Sequence, residues 1–408
     1  MASCCNRAEL ELAGNFCEQG FIVTTTGFSL PTELDYAALQ RLLPVLALAD
    51  SVRFLADAPV LVVHSEVDEG AFGDRVATEL GKLGIPWQAH AVSAATDHSD
   101  AGLYRCADAV LTVIVPAGSS LPSELLATLA HWDVELRALR RLSPPSSASS
   151  GQEFALEFYL DDWDRCAAQR ARLQDLAGRW EVDLALAPSD SKRPRRRLIA
   201  FDMDSTLIQC EVIDELAHRA GVGEEVAAVT ARAMRGELDF RSSFRERMSK
   251  LRGLDAAQIQ EVGATLPIMP GARILLRTLR AQGHHTAILS GGFDYFARKV
   301  QAQIGLDEVH ANHLQIIDDA LTGDVNGEIV DAERKVLLLK EIAEREGIDL
   351  ADTVAVGDGA NDLPMLATAG LGVAFHAKPR VRETAPCAIN YGTLETLLYV
   401  LGVPRGSD

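Results

Sequence analysis

The spacing of apolar and polar positions changes about halfway along the chain. From Arg197 onward, short apolar runs that suit buried strands alternate with longer segments of helical spacing. Strands that alternate with helices are typical of a parallel sheet covered by helices on both faces. Residues 189–408 are therefore predicted to form an α/β domain, whose clearest strands are RRLIAFD, HHTAILS, TVAVGD and LGVAF.

The preceding part of the chain has a different order of elements. Between about residues 105 and 187 the pattern predicts strand, helix, strand, strand, helix and strand: DAVLTVIVP, SELLATLAHW, VELRALRRL, EFALEFYL, DRCAAQRARLQDLAGRW and VDLALA. This βαββαβ order predicts a ferredoxin-like α+β domain within residues 101–188. Residues 1–100 contain one strand, helix and strand pattern, which predicts a divergent copy of the same unit: VLVVHSE, GAFGDRVATELGKLG and WQAHAVS.

Two polar stretches interrupt these patterns. Residues 143–152 (SPPSSASSGQ) separate two strand-like runs and are predicted to form a loop within the α+β domain. Residues 188–197 (PSDSKRPRRR) stand where the pattern changes and are predicted to be a domain boundary. The basic run from Lys192 to Arg197 lacks interleaved aromatic residues, which favours a solvated linker over a nucleic-acid or localisation patch.

A helical insertion follows the first strand of the α/β domain. No strand-like run occurs between Glu211 and about Pro267, and four helices are predicted there: EVIDELAHRAG, EEVAAVTARAMRG, FRSSFRERMSKLRG and DAAQIQEVGATL. An insertion at this point would stand over the edge of the sheet where the first strand ends. Residues 211–267 are therefore predicted to form a cap that acts as a lid.

Polar residues stop three of the predicted strands, namely Asp202, Ser290 and Asp358. The carboxyl ends of parallel strands meet at one edge of an open α/β sheet, so these side chains are expected to share one site. Asp204 lies two residues after Asp202. Two carboxylates this close raise each other's proton affinity, so the spacing indicates a bound cation or a proton-transfer task.

Phosphoryl transfer accounts for these residue types. A carboxylate such as Asp202 can attack phosphorus and form an acyl phosphate that water later cleaves, while Asp204 exchanges protons with the leaving oxygen and the water. A divalent cation must neutralise the repulsion between carboxylate and phosphate, and hard oxygen ligands such as Asp358 favour Mg²⁺. Asp362 is expected behind Asp358, with Asn361 as a polar orienter there. The phosphate oxygens would be met by polar groups at other termini: Ser290, Gly291, Gly292 and Lys335.

Each of these motifs also has a simpler reading. The two aspartates of DMDST occur often as capping or solvated carboxylates, Ser290 can form a tight turn, and Lys335 can be a solvated helix residue. GDGAND can be an unrelated turn or a calcium-loop lookalike, although no Glu stands at the twelfth position of such a loop. The four motifs together, each at the end of a strand or helix, favour a phosphoryl-transfer site.

In the same order along the chain, DMDSTLIQCEVIDELA, AMRGELDF, MPGA, SGGF and AVGDGANDLPML resemble the motifs of haloacid-dehalogenase-superfamily (HAD) phosphatases, and among them the phosphoserine phosphatase family. The resemblance covers about half of the chain, from Arg197 onward. It implies a HAD-like Rossmannoid parallel sheet with a helical cap. It also implies magnesium-dependent hydrolysis of O-phospho-L-serine to L-serine and phosphate through an aspartyl phosphate, the last step of serine biosynthesis.

The same resemblance implies a role for each motif residue. Asp202 is expected to be the phosphorylated nucleophile and Asp204 the acid and base. Mg²⁺ is expected to bind to Asp202, the backbone carbonyl of Asp204 and Asp358. Glu211 is expected to receive the substrate ammonium and Arg247 the substrate carboxylate. The phosphate side is expected to be held by Ser290, Gly291, Lys335 and Asn361.

The residues alone do not select these cap positions. Arg247 offers a planar fork that matches a carboxylate, but Arg245 and Arg252 compete equally with it. Phe240 is expected to pack over the substrate, and a core aromatic residue is the equal alternative.

The βαββαβ unit resembles an ACT domain, a small-molecule-sensing fold that is often attached to enzymes of amino-acid metabolism. The resemblance implies an amino-acid effector such as serine, or a homodimer formed through the sheet edge or the helices. A packing domain without a ligand is the alternative.

Composition and charge limit the partners and the location. The chain has 408 residues, of which 48% are hydrophobic and 24% charged, which fits a globular protein of two or three domains. The net charge of -19 repels nucleic acid and anionic lipid, so neither is expected as a partner. The seven cysteines include no CxxC pair, and no apolar stretch reaches the ~20 residues of a membrane span. The charged N-terminal segment does not fit a signal peptide, so a cytoplasmic location is predicted.

Two other functions remain open on the sequence. The same chemistry would serve another small phosphomonoester, or phosphotransfer to an alcohol acceptor. A different class is an amino-acid-sensing binding protein with a vestigial catalytic domain. The four intact residues Asp202, Asp204, Lys335 and Asp358 argue against it, because a sensor has no need of all of them.

Overall fold

The chain forms two compact units, one of residues 1–193 with 398–408 and one of residues 194–397. The computed structural model describes residues 24–29, 42–43, 46, 51–54, 60–65, 69–82, 88–91, 107–144, 152–189 and 197–403. The basic residues 192–196, most of the loop 143–152 and the first cysteines lie outside these ranges. The predicted domain limits stay predictions.

The described part of the first unit is built on one sheet. Its strands are β1 (Thr24–Ser29), β2 (Ser51–Phe54), β3 (Val60–Ser65), β4 (Gln88–Ala91), β5 (Ala109–Val115), β6 (Leu136–Arg141), β7 (Phe154–Leu160) and β8 (Asp183–Pro188). Its helices are α1 (Glu69–Lys82), α2 (Leu125–His131), α3 (Trp163–Ala168) and α4 (Arg170–Trp180). The elements from β5 to β8 follow the predicted order.

A ferredoxin-like strand order occurs twice in this sheet. The strands lie in the order β4-β1-β3-β2-β6-β7-β5-β8, so each group of four has its fourth strand beside its first and its third beside its second. The antiparallel pairing of β2 with β6 joins the two groups. The sequence indicated only one strand, helix and strand in the first group, because β1 and β2 carry weaker apolar patterns. The ACT-like function of these units stays a prediction.

One predicted helix of this unit is divided in two. The sequence predicts a continuous helix over DRCAAQRARLQDLAGRW, whereas α3 ends at Ala168 and α4 begins at Arg170. At the break, Gln169 donates its N–H to Cys166 O, and Gln169 O accepts the N–H of Arg172. These three-residue hydrogen bonds replace the four-residue bonds of an α-helix and tighten the turn.

The second unit contains a seven-stranded sheet in the order β12-β11-β10-β9-β13-β14-β15. Its strands are β9 (Leu198–Phe201), β10 (His285–Phe293), β11 (Glu308–Ile317), β12 (Ala320–Asn326), β13 (Thr353–Gly357), β14 (Leu371–Phe375) and β15 (Cys387–Ile389). Helices outside the cap are α9 (Ala272–Ala281), α10 (Asp294–Ile304), α11 (Ala332–Arg345), α12 (Leu363–Thr368) and α13 (Pro379–Thr384). A last helix, α14 (Leu397–Val400), begins at the final residue of this unit and otherwise belongs to the first. All sheet pairs are parallel except the β11–β12 hairpin.

The central strand β9 brings the predicted site together. Its four residues are completely buried, as expected for a parallel strand covered on both faces. It pairs with β10 on one side and with β13 on the other. The segments that follow β9 and β13 therefore lie side by side at the carboxyl edge of the sheet.

Strand β10 differs from the prediction that it ends at Ser290. It continues to Phe293, but its pairing with β9 stops at Ile288 and its register with β11 shifts between Leu289 and Phe293. The turn Ser290–Gly292 is thus an irregular part of a longer strand. Two consecutive glycines there permit the backbone to leave the ladder and return to it.

Four helices form the cap, as predicted: α5 (Val212–Arg219), α6 (Gly223–Met234), α7 (Phe240–Lys250) and α8 (Ala256–Ala264). The two linkers that connect the cap to the sheet pair with each other at Ile208 and Ile268. Gln209 N–H donates to Pro267 O at 2.9 Å, and Met269 N–H donates to Leu207 O at 2.8 Å. The cap therefore leaves and rejoins the sheet at one place.

The described cysteines form no disulfide bonds. Cys166, Cys210 and Cys387 are free cysteines, and Cys166 and Cys387 are buried. Among the described residues, no helix combines the length and the apolar character that crossing a bilayer demands.

Glu308 at the start of β11 offers a test of stability. Its carboxylate lies 2.6 Å from His285 Nε2 and 2.9 Å from His310 Nε2, and it also pairs with Arg345. Burial by itself would raise the pKa of Glu308, but these hydrogen bonds outweigh it and lower the pKa. We expect Glu308→Gln to reduce the free energy of unfolding by about 1–2 kcal/mol at pH 7.

The lowered pKa of Glu308 also predicts how the stability of the protein changes with pH. Because the folded-state pKa is lowered, this stabilisation is present above the unfolded-state pKa of about 4.3 and is lost as the pH falls below it. Urea unfolding of both proteins between pH 3 and pH 8 measures the difference. Glu346→Gln is the matched control, because Glu346 pairs with the same Arg345 at the surface and should change stability by less than about 0.5 kcal/mol. Equal losses in the two variants would contradict the prediction.

Candidate active site

Asp202 is the first residue after β9 and is 6% exposed. Its backbone N–H donates to Val356 O at 2.9 Å, which continues the ladder between β9 and β13 by one residue. The carboxylate Oδ1 accepts the N–H of Met203 at 2.7 Å. The side chain is thus fixed at the edge of the sheet through its Oδ1 atom.

Three carboxylates meet at this edge. Oxygen atoms of Asp202, Asp358 and Asp362 all lie within 4.8 Å of one another, and all three residues are buried. Lys335 Nζ lies 3.0 Å from Asp202 Oδ1 and 2.7 Å from Asp362 Oδ1. Asp202, Asp358 and Lys335 were predicted to converge, whereas Asp362 was expected only behind Asp358.

The protonation of this acidic group reflects its burial. The pKa of Asp358 is raised to about 7 by burial and by the nearby charges of Asp202 and Asp362. Burial and the charge of Asp202 also raise the pKa of Asp362, and Lys335 opposes them. Burial would lower the pKa of Lys335, but Asp202 and Asp362 outweigh it and raise the pKa above its usual value. Lys335 is therefore a permanent cation at the site.

The acidic group has the composition of a divalent-cation site. When all three carboxylates are ionised, they leave two negative charges in excess over the one ammonium within a buried region. No described residue donates a hydrogen bond to the carboxylate of Asp358. Hard carboxylate oxygens at this spacing suit Mg²⁺ or Ca²⁺. The side chain of Asp204 is not part of the group, and a role for its backbone carbonyl stays a prediction.

Asp204 faces the turn at the end of β10. Its Oδ1 accepts the N–H of Val212 at 3.2 Å, at the start of cap helix α5. A Cβ atom on Gly292 would lie 2.6 Å from Asp204 Oδ2, so glycine is required for this close approach. Burial, and then the charges of Glu211 and Asp202, raise the pKa of Asp204 well above its usual range.

Ser290 lies in the irregular end of β10, and Asn361 lies in the segment after β13; these two strands flank β9. Ser290 is completely buried, and its Oγ accepts the N–H of Gly292 at 2.9 Å, which leaves its hydrogen to be donated. Asn361 Nδ2 lies 3.4 Å from Asp362 Oδ1. A Cβ atom on Gly357 would lie 2.4 Å from Asp362 Oδ2, so the first glycine of VGDGAND permits Asp362 to fold back onto its own strand.

The cap carries the carboxylate of Glu211 and the half-buried guanidinium group of Arg247. Glu211 precedes helix α5, and its Oε1 accepts the hydroxyl hydrogen of Ser205 at 2.8 Å. Arg247 is half-buried on α7, and its buried Nε has no hydrogen-bond partner in the described part of the chain. Burial lowers the pKa of Arg247, and the charges of Asp214 and Glu211 oppose this. Arg245 and Arg252 are exposed, so the structure separates Arg247 from both alternatives.

Phe240 connects the cap to the turn at the end of β10. Its ring stacks on Phe244 at a centroid distance of 6.1 Å, and its Cζ would lie 3.1 Å from a Cβ atom on Gly291. The neighbouring Arg241 pairs with Asp331, which precedes the helix that carries Lys335. Phe240 is thus half-buried beside the site rather than in the core of the cap.

Two contributions to the site were not found in the sequence: Ser205 holds Glu211, and the amide of Asn312 contacts the turn at Gly291. Ser205 lies within DMDST, but the motif assigns no role to its hydroxyl. Asn312 has no motif, because its contact joins segments that are distant in the chain. Asp362 was expected behind Asp358 and belongs to the acidic group itself.

A parallel sheet with a helical cap after its first strand, and carboxylates grouped at its carboxyl edge, defines a hydrolase of the haloacid dehalogenase-like class. The model of that family, described as haloacid dehalogenase-like hydrolase, matches residues 199–367. A HAD family hydrolase from Salmonella enterica serovar Typhi superposes with a TM-score of 0.63 at 31% identity, over 72% of this chain and 98% of the other.

Two relatives carry the comparison further. A phosphoserine phosphatase from Streptomyces coelicolor is 50% identical over 236 residues, which is 58% of this chain and 58% of the relative. A phosphoserine phosphatase from Archaeoglobus fulgidus is 42% identical over 251 residues, which is 61% of this chain and 73% of the relative. The chain belongs to the phosphoserine phosphatase family of the haloacid dehalogenase-like hydrolases.

Proposed function

We propose that this protein hydrolyses O-phospho-L-serine to L-serine and phosphate, the last step of serine biosynthesis. The observation that carries the proposal is the buried group of Asp202, Asp358 and Asp362 around Lys335. Such a group places a nucleophilic carboxylate beside a permanent cation. The phosphoserine phosphatases of Streptomyces coelicolor and Archaeoglobus fulgidus support the substrate.

The phosphoryl group is transferred in two displacements at Asp202. Oδ1 is held by Met203 N–H and Lys335, so Oδ2 attacks phosphorus and the bond to the serine oxygen breaks. Asp204 gives its proton to that oxygen. Asp204 then takes a proton from water, which attacks phosphorus and cleaves the aspartyl phosphate. Phosphate leaves and Asp202 is restored.

The other residues on the phosphate side neutralise the charge of the phosphoryl group and orient it. Lys335, Ser290 and Gly291 meet the phosphoryl oxygens, with Asn361 beside them. Mg²⁺ would be held by carboxylates of the acidic group, and when bound it supplies charge that offsets the repulsion between phosphate and Asp202. Oxygen ligands and the excess negative charge fit this ion.

The cap recognises the amino-acid part of the substrate. Arg247 is a partly desolvated cation whose buried Nε has no hydrogen-bond partner in the described part of the chain, and a substrate carboxylate would supply one. Glu211 stands at the entrance of the cap and receives the ammonium group. Phe240 packs over the same region. A zwitterion fits this pair better than a sugar phosphate does.

Substitution of Arg247 tests the substrate. We expect Arg247→Gln to lower kcat/KM for phosphoserine by about 10- to 100-fold, because it removes a charge-assisted contact to the substrate carboxylate. Turnover of p-nitrophenyl phosphate, which has no carboxylate, should stay within about threefold of the parent enzyme. Steady-state kinetics on both substrates measures the difference. Arg245→Gln on the same helix is the control and should change neither.

The alternatives predict other outcomes. Equal activity of the parent enzyme on phosphoserine, phosphothreonine and sugar phosphates would favour a broader phosphomonoesterase, and alcohol-dependent phosphate transfer would favour a phosphotransferase. Serine binding without any phosphate release would favour the sensor. The amino-acid effector, the homodimer and the cytoplasmic location stay predictions.

A further inference from the structure

The hydrogen-bond ladder between β10 and β11 is interrupted beside the site. Residue pairs run as far as Leu289 and resume at Phe293, which lies opposite Asn312. The peptide groups between them lack the partners that a regular parallel ladder would supply. Gly291, one of the residues assigned to the phosphate, lies in this gap.

Asn312 fills part of the gap with its side chain. Asn312 is 1% exposed, and its Nδ2 donates to Gly291 O at 2.8 Å. Its Oδ1 accepts the N–H of Val330 at 2.8 Å. A backbone carbonyl can only accept and a backbone N–H can only donate, so the two partners fix the orientation of the amide.

The second partner leads directly to the catalytic lysine. Val330 precedes Asp331, whose carboxylate accepts the N–H of Arg334 at 2.9 Å and begins helix α11. Lys335 lies one turn further, and its N–H donates to Asp331 O at 2.9 Å. The position of Val330 therefore sets where the helix starts and where the Lys335 side chain begins.

We propose that Asn312 is a positioning residue for phosphoryl transfer, which fixes the Gly291 turn and the Lys335 helix relative to each other through the two ends of one amide. The inference rests on the proposed function, since Gly291 and Lys335 meet a phosphoryl group only there. Asn312 itself touches no reacting atom. Without it, the half-buried Gly291 carbonyl loses its side-chain donor, and the segment before α11 loses its hydrogen bond to the side chain on β11.

Two substitutions test this role. Asn312→Asp has nearly the same shape and keeps the acceptor for Val330, but in its ionised form it cannot donate to Gly291. Asn312→Ala removes both contacts. We expect kcat to fall by about 10- to 100-fold in each variant, because small misplacements of phosphate-binding groups cost this much. The loss should be the same for phosphoserine and for p-nitrophenyl phosphate, since the defect lies on the phosphate side.

Thr286→Val is the matched control. Thr286 is 1% exposed on the neighbouring strand β10, and its hydroxyl donates to Asp307 Oδ2 at 2.8 Å and accepts the N–H of Asp307 at 3.2 Å. It lies at the opposite end of the sheet from the site. This variant should lower Tm as the Asn312 variants do, but its kcat well below Tm should equal that of the parent enzyme.

The outcomes are distinct. Two results would assign Asn312 to folding alone and overturn the proposal. In the first, both Asn312 variants have a lower Tm but the kcat of the parent enzyme. In the second, both Asn312 variants fail to fold while Thr286→Val folds. A loss confined to phosphoserine would also overturn it. A parent enzyme that turns over p-nitrophenyl phosphate but not phosphoserine defeats the proposed substrate and leaves the Asn312 comparison measurable on p-nitrophenyl phosphate. A parent enzyme inactive on both compounds overturns the proposed function and the role of Asn312 together.

Discussion

Asp202→Asn should lower phosphoserine turnover by about 10⁴-fold or more, because an amide oxygen cannot form the acyl phosphate. The substitution keeps the shape of the side chain. It also keeps an oxygen that can accept the N–H of Met203, so the local fold should persist. Phosphate release in the presence of Mg²⁺ measures the rate. Brief incubation with ³²P-labelled substrate followed by acid quench measures covalent label on the protein.

The control for Asp202→Asn is a substitution outside the site. Asp349→Asn changes an exposed aspartate that caps a short helical turn by accepting the N–H of Ala351, and it should leave turnover unchanged. Unlabelled but active Asp202→Asn enzyme would show that another group attacks phosphorus. Label that persists in the variant would place the covalent intermediate on a different residue.

Lys335→Met should reduce kcat by about 10³-fold and also weaken the fold. Lys335 is 1% exposed between Asp202 and Asp362, so its removal leaves both buried carboxylates without the ammonium that pairs with them. Breaking one partner of a buried ion pair costs about 3–5 kcal/mol. Urea unfolding in EDTA measures the stability, and steady-state kinetics with Mg²⁺ measures the rate. Lys340→Met, an exposed position on the same helix, is the control.

A second substitution separates the two roles of Lys335. Adding Asp362→Asn to Lys335→Met removes one uncompensated charge and should restore part of the lost stability. It should not restore kcat, because the cation that faces the phosphoryl oxygens is still missing. Recovery of turnover together with stability would show that Lys335 acts only by neutralising Asp362.

The sequence predicted the parts of the site that sit at the ends of strongly apolar strands. Asp202 and Asp358 follow buried runs with a clear pattern, so their meeting at one edge followed from the parallel order of the sheet. The choice of Arg247 over Arg245 did not follow from spacing. It depends on which face of α7 is covered, and that is decided by tertiary packing.

The missed features share a physical origin. The irregular end of β10 and the amide of Asn312 depend on hydrogen bonds between segments far apart in the chain, which leave no periodic pattern. The strands β1 and β2 were missed because they are short or polar, and their pairing partners decide their conformation. The local pattern of apolar residues thus predicted most helices and strands, but it did not predict irregularities that depend on hydrogen bonds between strands.

The paired linkers at Ile208 and Ile268 make the cap a module that the sheet tolerates as a side branch. Because both ends of the insertion meet within one short antiparallel bridge, residues can be gained, lost or exchanged beyond it without moving β9 or its neighbours. The catalytic residues on the sheet and the substrate-selecting residues of the cap can therefore change independently of each other. One scaffold that cleaves phosphate esters can acquire new substrates by replacing only what lies outside the bridge.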